Sequence, residues 1–433
     1  MGSEHFFDPI FTRKRKIMNT QQQQILDRFI KYAKVNTRSD ESSLTIPSTP
    51  SQEEFTLKLK DEIEALGFED CFYNPKDAYL TATIPSTLPD ENIPTVGFIV
   101  HVDTADYNAE NIQPQVIENY DGGDIVLNEE ENMVLSPKDF PRLKHVVGHT
   151  LVTTDGRTLL GADDKAGITS IVTFGEYLIN HPEIPHGKIR VAFGPDEEIG
   201  TRGAKYFDID QFGADFAYTI DGGRYGTLTY ENFYAKQANV TISGRSVHPG
   251  AAKDSMINAL LWGARLATSL PADQVPEKTS GREGFYFLIR QEGTIDHLNQ
   301  FYYLRDHDKK KMQEKLAYFE EQVARLNQEI GEERITYRIV DQYDNMYEVL
   351  KDYPWVIDLA RDAYLKNKVE AFEAPMRGGT DGAILSHKGL PTPNLFSGAE
   401  NTHGPYEFVT IETIEQSIAV LIDIAKNVRH YSA

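Results

Sequence analysis

The sequence predicts an α/β protein: a helix-covered, mostly parallel sheet with an inserted ferredoxin-like α+β domain. The chain has 433 residues, 40% of them hydrophobic, which is enough for two domains with large cores. Strand-like and helix-like segments alternate from Thr95 to Ile220, as in a helix-covered parallel sheet. From Lys236 to Asp341 the order changes to β-α-β-β-α-β, which is typical of the ferredoxin-like plan.

The first part of the chain shows helical spacing, then strand-like runs, then a stretch without periodicity. Apolar residues recur every three or four positions in two segments, which predicts amphipathic helices. A long irregular segment follows, and loops of this length usually have a function such as covering the substrate. The predicted elements are helices Gln22–Lys34 and Gln52–Leu66, strands Tyr79–Ile84 and Thr95–Val100, and the irregular segment Ala105–Val147.

The next segment is predicted to hold a hairpin, one helix and two strands. Asp155-Gly156 is a hairpin-turn dipeptide between two short apolar runs, Leu151–Thr153 and Leu159–Leu160. The helix and the two strands that follow are expected at Lys165–Asn180, Lys188–Phe193 and Ala217–Ile220.

The inserted domain is placed at residues 234–343, between two parts of the first domain at 18–233 and 344–433. Helices are expected to resume in the first domain after the insertion. Residues 1–17 carry no regular pattern and are expected to be a disordered extension or a cloning remnant. Within the insertion and after it, the predicted elements are Lys236–Ile242, Ser255–Leu270, Phe285–Glu292, Gln300–Arg305, Lys309–Ile330, Arg334–Asp341, Trp355–Leu365 and Ile411–Val428.

Charge and cysteine content limit the kinds of partner and compartment. The formal net charge of −22 would repel phosphate backbones and anionic membranes, so neither nucleic acid nor membrane is expected as a partner. Cys71 is the only cysteine, which excludes an intrachain disulfide and fits a reducing compartment. No run approaches the roughly 18 apolar residues of a membrane helix, and no signal peptide is evident. We therefore expect a cytoplasmic protein.

Several acidic and histidine residues fall where predicted strands end. His101 and Asp103 follow one strand and share a face, which suits a metal ligand and its orienting carboxylate as well as a structural pair. Asp163-Asp164 stand before a helix, where a helix cap explains one aspartate but not two. Asp196-Glu197-Glu198 follow another strand, although three adjacent acids are more often a solvated charge run.

Asp221 and His403 are also candidates, and each has an alternative interpretation without a function. Asp221 stands before two glycines, as turn-forming aspartates do, and His403 lies in a Gly/Pro-bounded loop, where histidines are usually surface residues. Taken together, however, the set contains two histidines and three carboxylates that one cleft could not bury without cations. Such a set suits two metal ions about 3.5–4 Å apart, as in two-metal hydrolases. Its members are His101, Asp163, Glu198, Asp221 and His403.

These segments, in this order, resemble the two-zinc exopeptidase family that includes aminoacylase and glutamate carboxypeptidase. The similarity runs from about Ile25 to the C-terminus and is densest at Thr158–Gly167, Pro195–Gly200, Gly244–Gly250 and Arg377–Gly382. It implies a zinc-binding catalytic domain, formed by the first domain, and an inserted domain of the lid or dimerisation type. It also implies two zinc ions per subunit, with dimerisation possible.

The resemblance assigns a role to each candidate. His101 and Asp221 would hold one zinc ion, Glu198 and His403 the other, and Asp163 would bridge both. The remaining roles are implied as follows: Glu197 as general base, Asp103 orienting His101, Asp164 structural and joined to Asp163 by a cis peptide bond, and His248, Arg305 and Arg377 in contact with the substrate. Read without the family, His248 is an exposed hairpin-tip histidine and either arginine an ion-paired surface residue.

The activity implied is that of a tripeptide aminopeptidase, which removes the N-terminal residue from short peptides. Alternatives within the family are a dipeptidase, a carboxypeptidase and an N-acyl amino acid deacylase, which share the metal centre and differ in the pocket. A metal-free, non-enzymatic homologue is the alternative of another class, because a fold alone never proves activity.

Overall fold

The computed structural model describes residues 18–89 and 92–431, so the expectation for residues 1–17 lies outside it. The strands are β1 (Glu69–Tyr73), β2 (Leu80–Ile84), β3 (Val96–His101), β4 (Gln115–Ile117), β5 (Ile125–Asn128), β6 (Met133–Leu135), β7 (Leu151–Thr153), β8 (Ile189–Gly194), β9 (Phe216–Thr219), β10 (Leu228–Thr229), β11 (Tyr234–Ser243), β12 (Phe285–Gly293), β13 (His297–Asp306), β14 (Ile335–Tyr343), β15 (Asn394–Leu395) and β16 (Phe408–Thr410). The helices are α1 (Thr20–Ala33), α2 (Pro50–Ala65), α3 (Ala162–Asn180), α4 (Ile209–Phe212), α5 (Ala259–Ser269), α6 (Lys309–Ile330), α7 (Tyr347–Leu350), α8 (Pro354–Lys366), α9 (Asp381–Lys388) and α10 (Ile411–Asn427).

The main sheet has the strand order β1-β2-β8-β3-β9-β15-β10. Its central strands β8, β3, β9 and β15 are parallel, while β1, β2 and β10 pair antiparallel with their neighbours. Strands β1 and β2 are joined by a short connection, which suits an antiparallel pair, whereas parallel neighbours need a longer crossover. The predicted mostly parallel sheet is confirmed, and the structure adds antiparallel strands at its edges.

Helices cover both faces of this sheet. Phe98 of β3 points to one face and meets Phe174 of α3 edge-on, with ring centroids 5.3 Å apart, and α3 packs in turn against α1 and α10. The next residue, Ile99, points to the other face and packs in a cluster with Phe212 of α4 and Leu385 of α9. Alternation along β3 therefore supplies both layers of the core. Among the described residues, no helix combines the length and the apolar character needed to cross a bilayer.

The inserted sheet has the antiparallel order β12-β13-β11-β14, with α5 and α6 on one face. Along the chain its elements run β11-α5-β12-β13-α6-β14, which is the β-α-β-β-α-β order predicted from the sequence. Its core is separate from that of the main sheet and includes Val240, Leu304 and Phe319. The first strand begins at Tyr234 and the last ends at Tyr343. The domain boundaries at these positions remain a prediction.

Two local expectations were wrong. The hairpin at Asp155-Gly156 does not form, because β7 pairs with β16 and β4 and the run Leu159–Leu160 is not a strand. The segment Ala105–Val147 is not wholly irregular, since it contains β4, β5 and β6. Strands β4 and β7 pair with each other and β7 also pairs with β16, contacts between distant segments that local turn chemistry does not indicate. Strands β5 and β6 instead pair with each other as a local antiparallel pair, which the periodicity did not reveal.

Gly175 shows how tightly α3 is packed beneath the sheet. A Cβ at this position would come within 2.0 Å of Phe68 Cζ. In an exposed helix, alanine is more stable than glycine by about 1 kcal/mol. Here we expect Gly175→Ala to lower the free energy of unfolding by about 1–3 kcal/mol, because Phe68 must leave its rotamer. Urea denaturation measures the change.

The matched control adds Phe68→Leu to Gly175→Ala, which shortens the obstructing side chain. The double variant should be less destabilised than the sum of the two single changes, since the clash is removed. A Gly175→Ala variant as stable as the unmodified chain would contradict the packing argument.

Candidate metal centre

The predicted site residues lie at one edge of the main sheet. His101 ends β3, Asp196-Glu197-Glu198 follow β8 closely, and Asp221 comes two residues after β9. These three strands are parallel neighbours, so their carboxyl ends meet at the same edge, where α/β proteins bind ligands.

Asp163 reaches this edge from the start of α3. Asp163 and Asp164 have non-helical backbone angles, so the regular helix begins at Lys165, where the sequence placed it. The Asp163–Asp164 peptide bond is cis, as the resemblance implied. This local geometry presents the Asp163 side chain outside the helix.

The five predicted ligands come together in two sets that share Asp163. His101 Nε2 lies 3.1 Å from Asp163 Oδ1 and 3.8 Å from Asp221 Oδ1. His403 Nε2 lies 3.2 Å from Asp163 Oδ2 and 3.0 Å from Glu198 Oε1. The ligand atoms within each set are all within 4.8 Å of one another. One carboxylate thus serves both sets, with one oxygen facing each histidine.

Asp103 connects the strand that carries His101 to the loop after β8. Its carboxylate accepts hydrogen bonds from the backbone amides of Glu197 and Glu198, at 3.0 and 3.1 Å. His101 Nδ1 lies 3.1 Å from the Asp103 carbonyl oxygen and 3.4 Å from its Oδ1. Asp103 is fully buried. It is therefore placed to fix His101 relative to the acidic loop, the segment Asp196-Glu197-Glu198 after β8.

The acidic loop is also tied down from its other side. Asp196, fully buried and at positive φ, accepts hydrogen bonds from the Ser48 hydroxyl at 2.5 Å and from Gln52 Nε2 at 2.8 Å. The three adjacent acids are thus not a solvated charge run. Asp196 anchors the loop, while the Glu198 carboxylate faces His403.

The site holds more negative charge than its own side chains neutralise. Burial raises the pKa of Glu198 to about 7, that of Asp221 to about 6 and that of Asp381 to about 7. Burial and the nearby Asp221 raise the pKa of Glu197 as well. Buried carboxylates of like charge favour the ionised form only when a cation is near.

This donor set fits metal ions. Glu198 Oε1 is buried and accepts no hydrogen bond from a described residue, although it faces His403 Nε2. Imidazole nitrogens and carboxylate oxygens are common ligands of zinc, and each set supplies three within reach of one point. Divalent cations would also supply the charge that the buried carboxylates lack. The residues present therefore suit a pair of metal ions bridged by Asp163.

Asp164 lies beside the site without joining either set. It is fully buried, and its Oδ1 accepts a hydrogen bond from the Gly167 amide at 3.1 Å. Lys165 is fully buried too and donates to the Thr37 hydroxyl at 2.8 Å. These contacts accord with the structural role expected for Asp164.

The three residues expected at the substrate take different positions. His248 is exposed, and its Nδ1 accepts a hydrogen bond from the Gly250 amide at 3.1 Å. Arg305 is buried in the inserted sheet, where it donates to the carbonyl oxygens of Lys236 and Leu304. None of the three belongs to either ligand set.

Arg377 links the loop before α9 to the inserted segment. It donates to the carbonyl oxygens of Gly281 and Glu283 at 2.9 and 2.8 Å and to the Thr279 hydroxyl at 2.7 Å, all in the inserted segment. In this conformation its guanidinium therefore fastens the inserted segment to the loop before α9. The roles of His248, Arg305 and Arg377 toward substrate remain predictions.

Sequence reasoning missed residues that support the site from afar. The Asp381 carboxylate is buried and accepts a hydrogen bond from the Tyr79 hydroxyl at 3.2 Å. Glu407, also buried, accepts hydrogen bonds from backbone amides just before Asp163 and from Asp163 itself. Asp381 lies within Arg377–Gly382, one of the segments that carry the family resemblance, but Glu407 had no local signal, because its partners are far away in the sequence.

Comparison with known proteins identifies the family. The model of peptidase family M20/M25/M40 matches residues 148–427. The chain belongs to this family. Peptidase T of Fusobacterium nucleatum is 52% identical over 400 residues, covering 92% of this chain and 96% of the relative. The family resemblance inferred from the motifs is thus confirmed, and the peptidase family together with this relative shows that the chain is a peptidase.

Solved structures share the fold over nearly the whole length. The aminopeptidase PepT of Bacillus cereus superposes with a TM-score of 0.74 at 22% identity, covering 94% of this chain and 98% of that one. A tripeptidase of Staphylococcus aureus gives 0.77 at 21%, covering 96% and 100%. A dinuclear metal-binding M20 peptidase of Bacillus subtilis gives 0.64 at 14%, covering 95% and 99%. The predicted fold class, with its inserted domain, is therefore that of this peptidase family.

Proposed function

We propose that this chain is a two-zinc aminopeptidase that removes the N-terminal residue from short peptides, chiefly tripeptides. The observation that carries the proposal is the Asp163 carboxylate, which faces His101 with one oxygen and His403 with the other. A shared carboxylate of this kind is what a two-metal hydrolase requires to hold its ions close together.

The ligand roles follow from the two sets. His101 and Asp221 would hold one ion, Glu198 and His403 the other, and Asp163 both. When bound, the ions would act as Lewis acids that make water nucleophilic and polarise the scissile carbonyl.

Glu197 is proposed as the general base. It belongs to neither ligand set, but it adjoins the ligand Glu198 in the chain. The Asp103 carboxylate fixes the backbone of both residues by accepting their amide hydrogen bonds. Its carboxylate accepts the proton that the attacking water loses and donates it to the departing amine. Burial and the charge of Asp221 raise its pKa, which favours proton uptake.

The relatives support the proposal that this chain cleaves short peptides at their N-terminal end. Identity of 52% to a peptidase T extends over almost the whole chain, well beyond the ligand motifs. Two structures with the same fold are an aminopeptidase and a tripeptidase. Free-amine recognition and short substrates are therefore the proposal for this chain.

The test combines zinc analysis with a peptide panel. Protein purified without chelator should contain about two zinc ions per chain, as a two-metal site requires. Leu-Ala-Phe should yield free leucine and Ala-Phe, and N-acetyl-Leu-Ala-Phe should resist hydrolysis. Mass spectrometry of the products distinguishes the ends, because a carboxypeptidase would release phenylalanine instead.

Other outcomes contradict specific parts of the proposal. Cleavage of N-acetyl-leucine would indicate a deacylase, and turnover confined to Leu-Ala would indicate a dipeptidase. Clearly less than one zinc per chain, without peptide hydrolysis, would favour a metal-free homologue.

We also propose a cytoplasmic location and, for the assembled enzyme, a possible homodimer. Burial raises the pKa of the lone Cys71 thiol to about 11, which suits an unreactive thiol in a reducing compartment. The net charge of −22 argues against nucleic-acid and membrane partners. Sedimentation equilibrium measures the assembly state.

A further inference from the structure

Glu407 occupies an unusual position behind the metal centre. Its side chain is buried, with 1% of its surface exposed. Oε2 accepts hydrogen bonds from the amides of Leu160 and Gly161 at 2.8 and 2.9 Å, and Oε1 accepts one from the Asp163 amide at 3.0 Å. Both carboxylate oxygens of Glu407 therefore accept hydrogen bonds from the backbone of the turn that contains Asp163.

These amides belong to the turn that leads into α3, before its regular part begins at Lys165. Backbone N–H groups buried in a turn have no helix or sheet partner and need acceptors from elsewhere. Hydrogen bonds from amides to an ionised carboxylate are shorter and stronger than those between neutral groups. Glu407 thus supplies, from a distant segment, the acceptors that hold the turn containing Asp163.

The same residue is attached to the loop that carries His403. Backbone hydrogen bonds in both directions between Glu400 and Phe408 close this loop, at 2.9 and 3.0 Å. Pro405 within it accepts a hydrogen bond from the Thr154 hydroxyl at 3.0 Å. Glu407 therefore joins two segments that each contribute to the metal centre: the turn with Asp163 and the loop with His403.

We propose that Glu407 is a positioning residue that fixes the bridging carboxylate of Asp163 relative to His403, so that both metal sites keep their shared ligand. The proposal rests on the metal-dependent function proposed above. Residues that orient metal ligands typically change metal affinity or activity by about 10–100-fold when replaced.

The test variant is Glu407→Gln, which keeps the shape of the side chain. The amide oxygen can still accept hydrogen bonds, but the amide nitrogen is a donor and cannot accept one from a backbone N–H. We expect zinc affinity, measured without substrate by equilibrium dialysis in zinc buffers, to fall by about 10–100-fold. With zinc present in excess, kcat should fall while KM stays nearly unchanged, because peptide contacts are untouched.

Glu412→Gln is the matched control. Glu412 also joins distant segments through a backbone amide, accepting a hydrogen bond from Thr150 at 2.9 Å, but it belongs to neither ligand set. Glu412→Gln should keep its zinc affinity even where it loses thermal stability in the metal-free state. Equal loss of zinc affinity in both variants would overturn the positioning role.

A second variant covers the case in which Glu407→Gln does not fold. Glu407→Asp keeps the charge but is one methylene shorter, so it reaches fewer of the three amides, and its zinc affinity should fall between those of the unmodified and the Gln proteins. Unaltered zinc affinity in the folded Gln variant, or in the Asp variant where only that one folds, overturns the inference. Absence of zinc binding by the unmodified chain would instead defeat the proposed function.

Discussion

Replacing Asp163 with asparagine should weaken both metal sites at once. Asp163 is the one residue common to the two ligand sets, with Oδ1 facing His101 and Oδ2 facing His403. Asparagine offers one oxygen and no charge, so one set loses its shared ligand atom and both lose attraction for the cation. Residues that only orient metal ligands change metal affinity by about 10–100-fold when they are replaced. Because Asp163 is itself the shared ligand, we expect Asp163→Asn to lower zinc affinity by at least about 100-fold.

Zinc analysis after dialysis measures the effect, and single-site variants sharpen it. His101→Ala and His403→Ala each remove a ligand from one set only, so each should retain about one zinc per chain, whereas Asp163→Asn should retain much less than either. Asp155→Asn, in a turn outside both sets, is the control and should bind zinc normally. If Asp163→Asn keeps both ions at unchanged affinity, the bridging assignment is wrong.

Replacing Glu197 with glutamine should remove most turnover and leave the metal content unchanged. Glu197 belongs to neither ligand set, so no ligand is lost, while glutamine cannot accept the proton from water. Positioned acid–base groups contribute about 10²–10⁴-fold to rate, and we expect kcat to fall by that amount. Steady-state kinetics on Leu-Ala-Phe, with zinc measured on the same samples, gives both values.

The adjacent residue provides the contrast. Glu198→Gln alters a ligand rather than the base, so its loss of activity should be accompanied by loss of zinc. Two neighbouring carboxylates of one loop would then separate into two roles. Near-normal kcat in Glu197→Gln, or zinc loss equal to that of Glu198→Gln, would refute the assignment of Glu197 as the base.

Much of the site could be expected from local patterns. His101, Glu198 and Asp221 follow predicted strands that are parallel neighbours in the sheet, and such strands bring their carboxyl ends together. Residue type then indicated metal, since histidines and carboxylates gathered in one place need cations. Strand periodicity and helix spacing are short-range properties, so they can be read without knowing the fold.

Contacts between distant segments could not be read in this way. The prediction of a hairpin at Asp155-Gly156 was wrong because β7 pairs with β4 and β16 instead. Arg377, expected at the substrate, donates all its observed hydrogen bonds to the inserted segment. No periodicity marks such partners.

By itself the sequence determined the fold class, the order of its elements and the residue types of a two-metal centre. The tertiary structure decided which oxygen of Asp163 faces which histidine, and that Glu407, 244 residues away, holds the turn that presents it. The physical reason is that periodicity and residue type act locally, whereas a buried carboxylate takes its partners from whatever backbone amides long-range packing brings within reach.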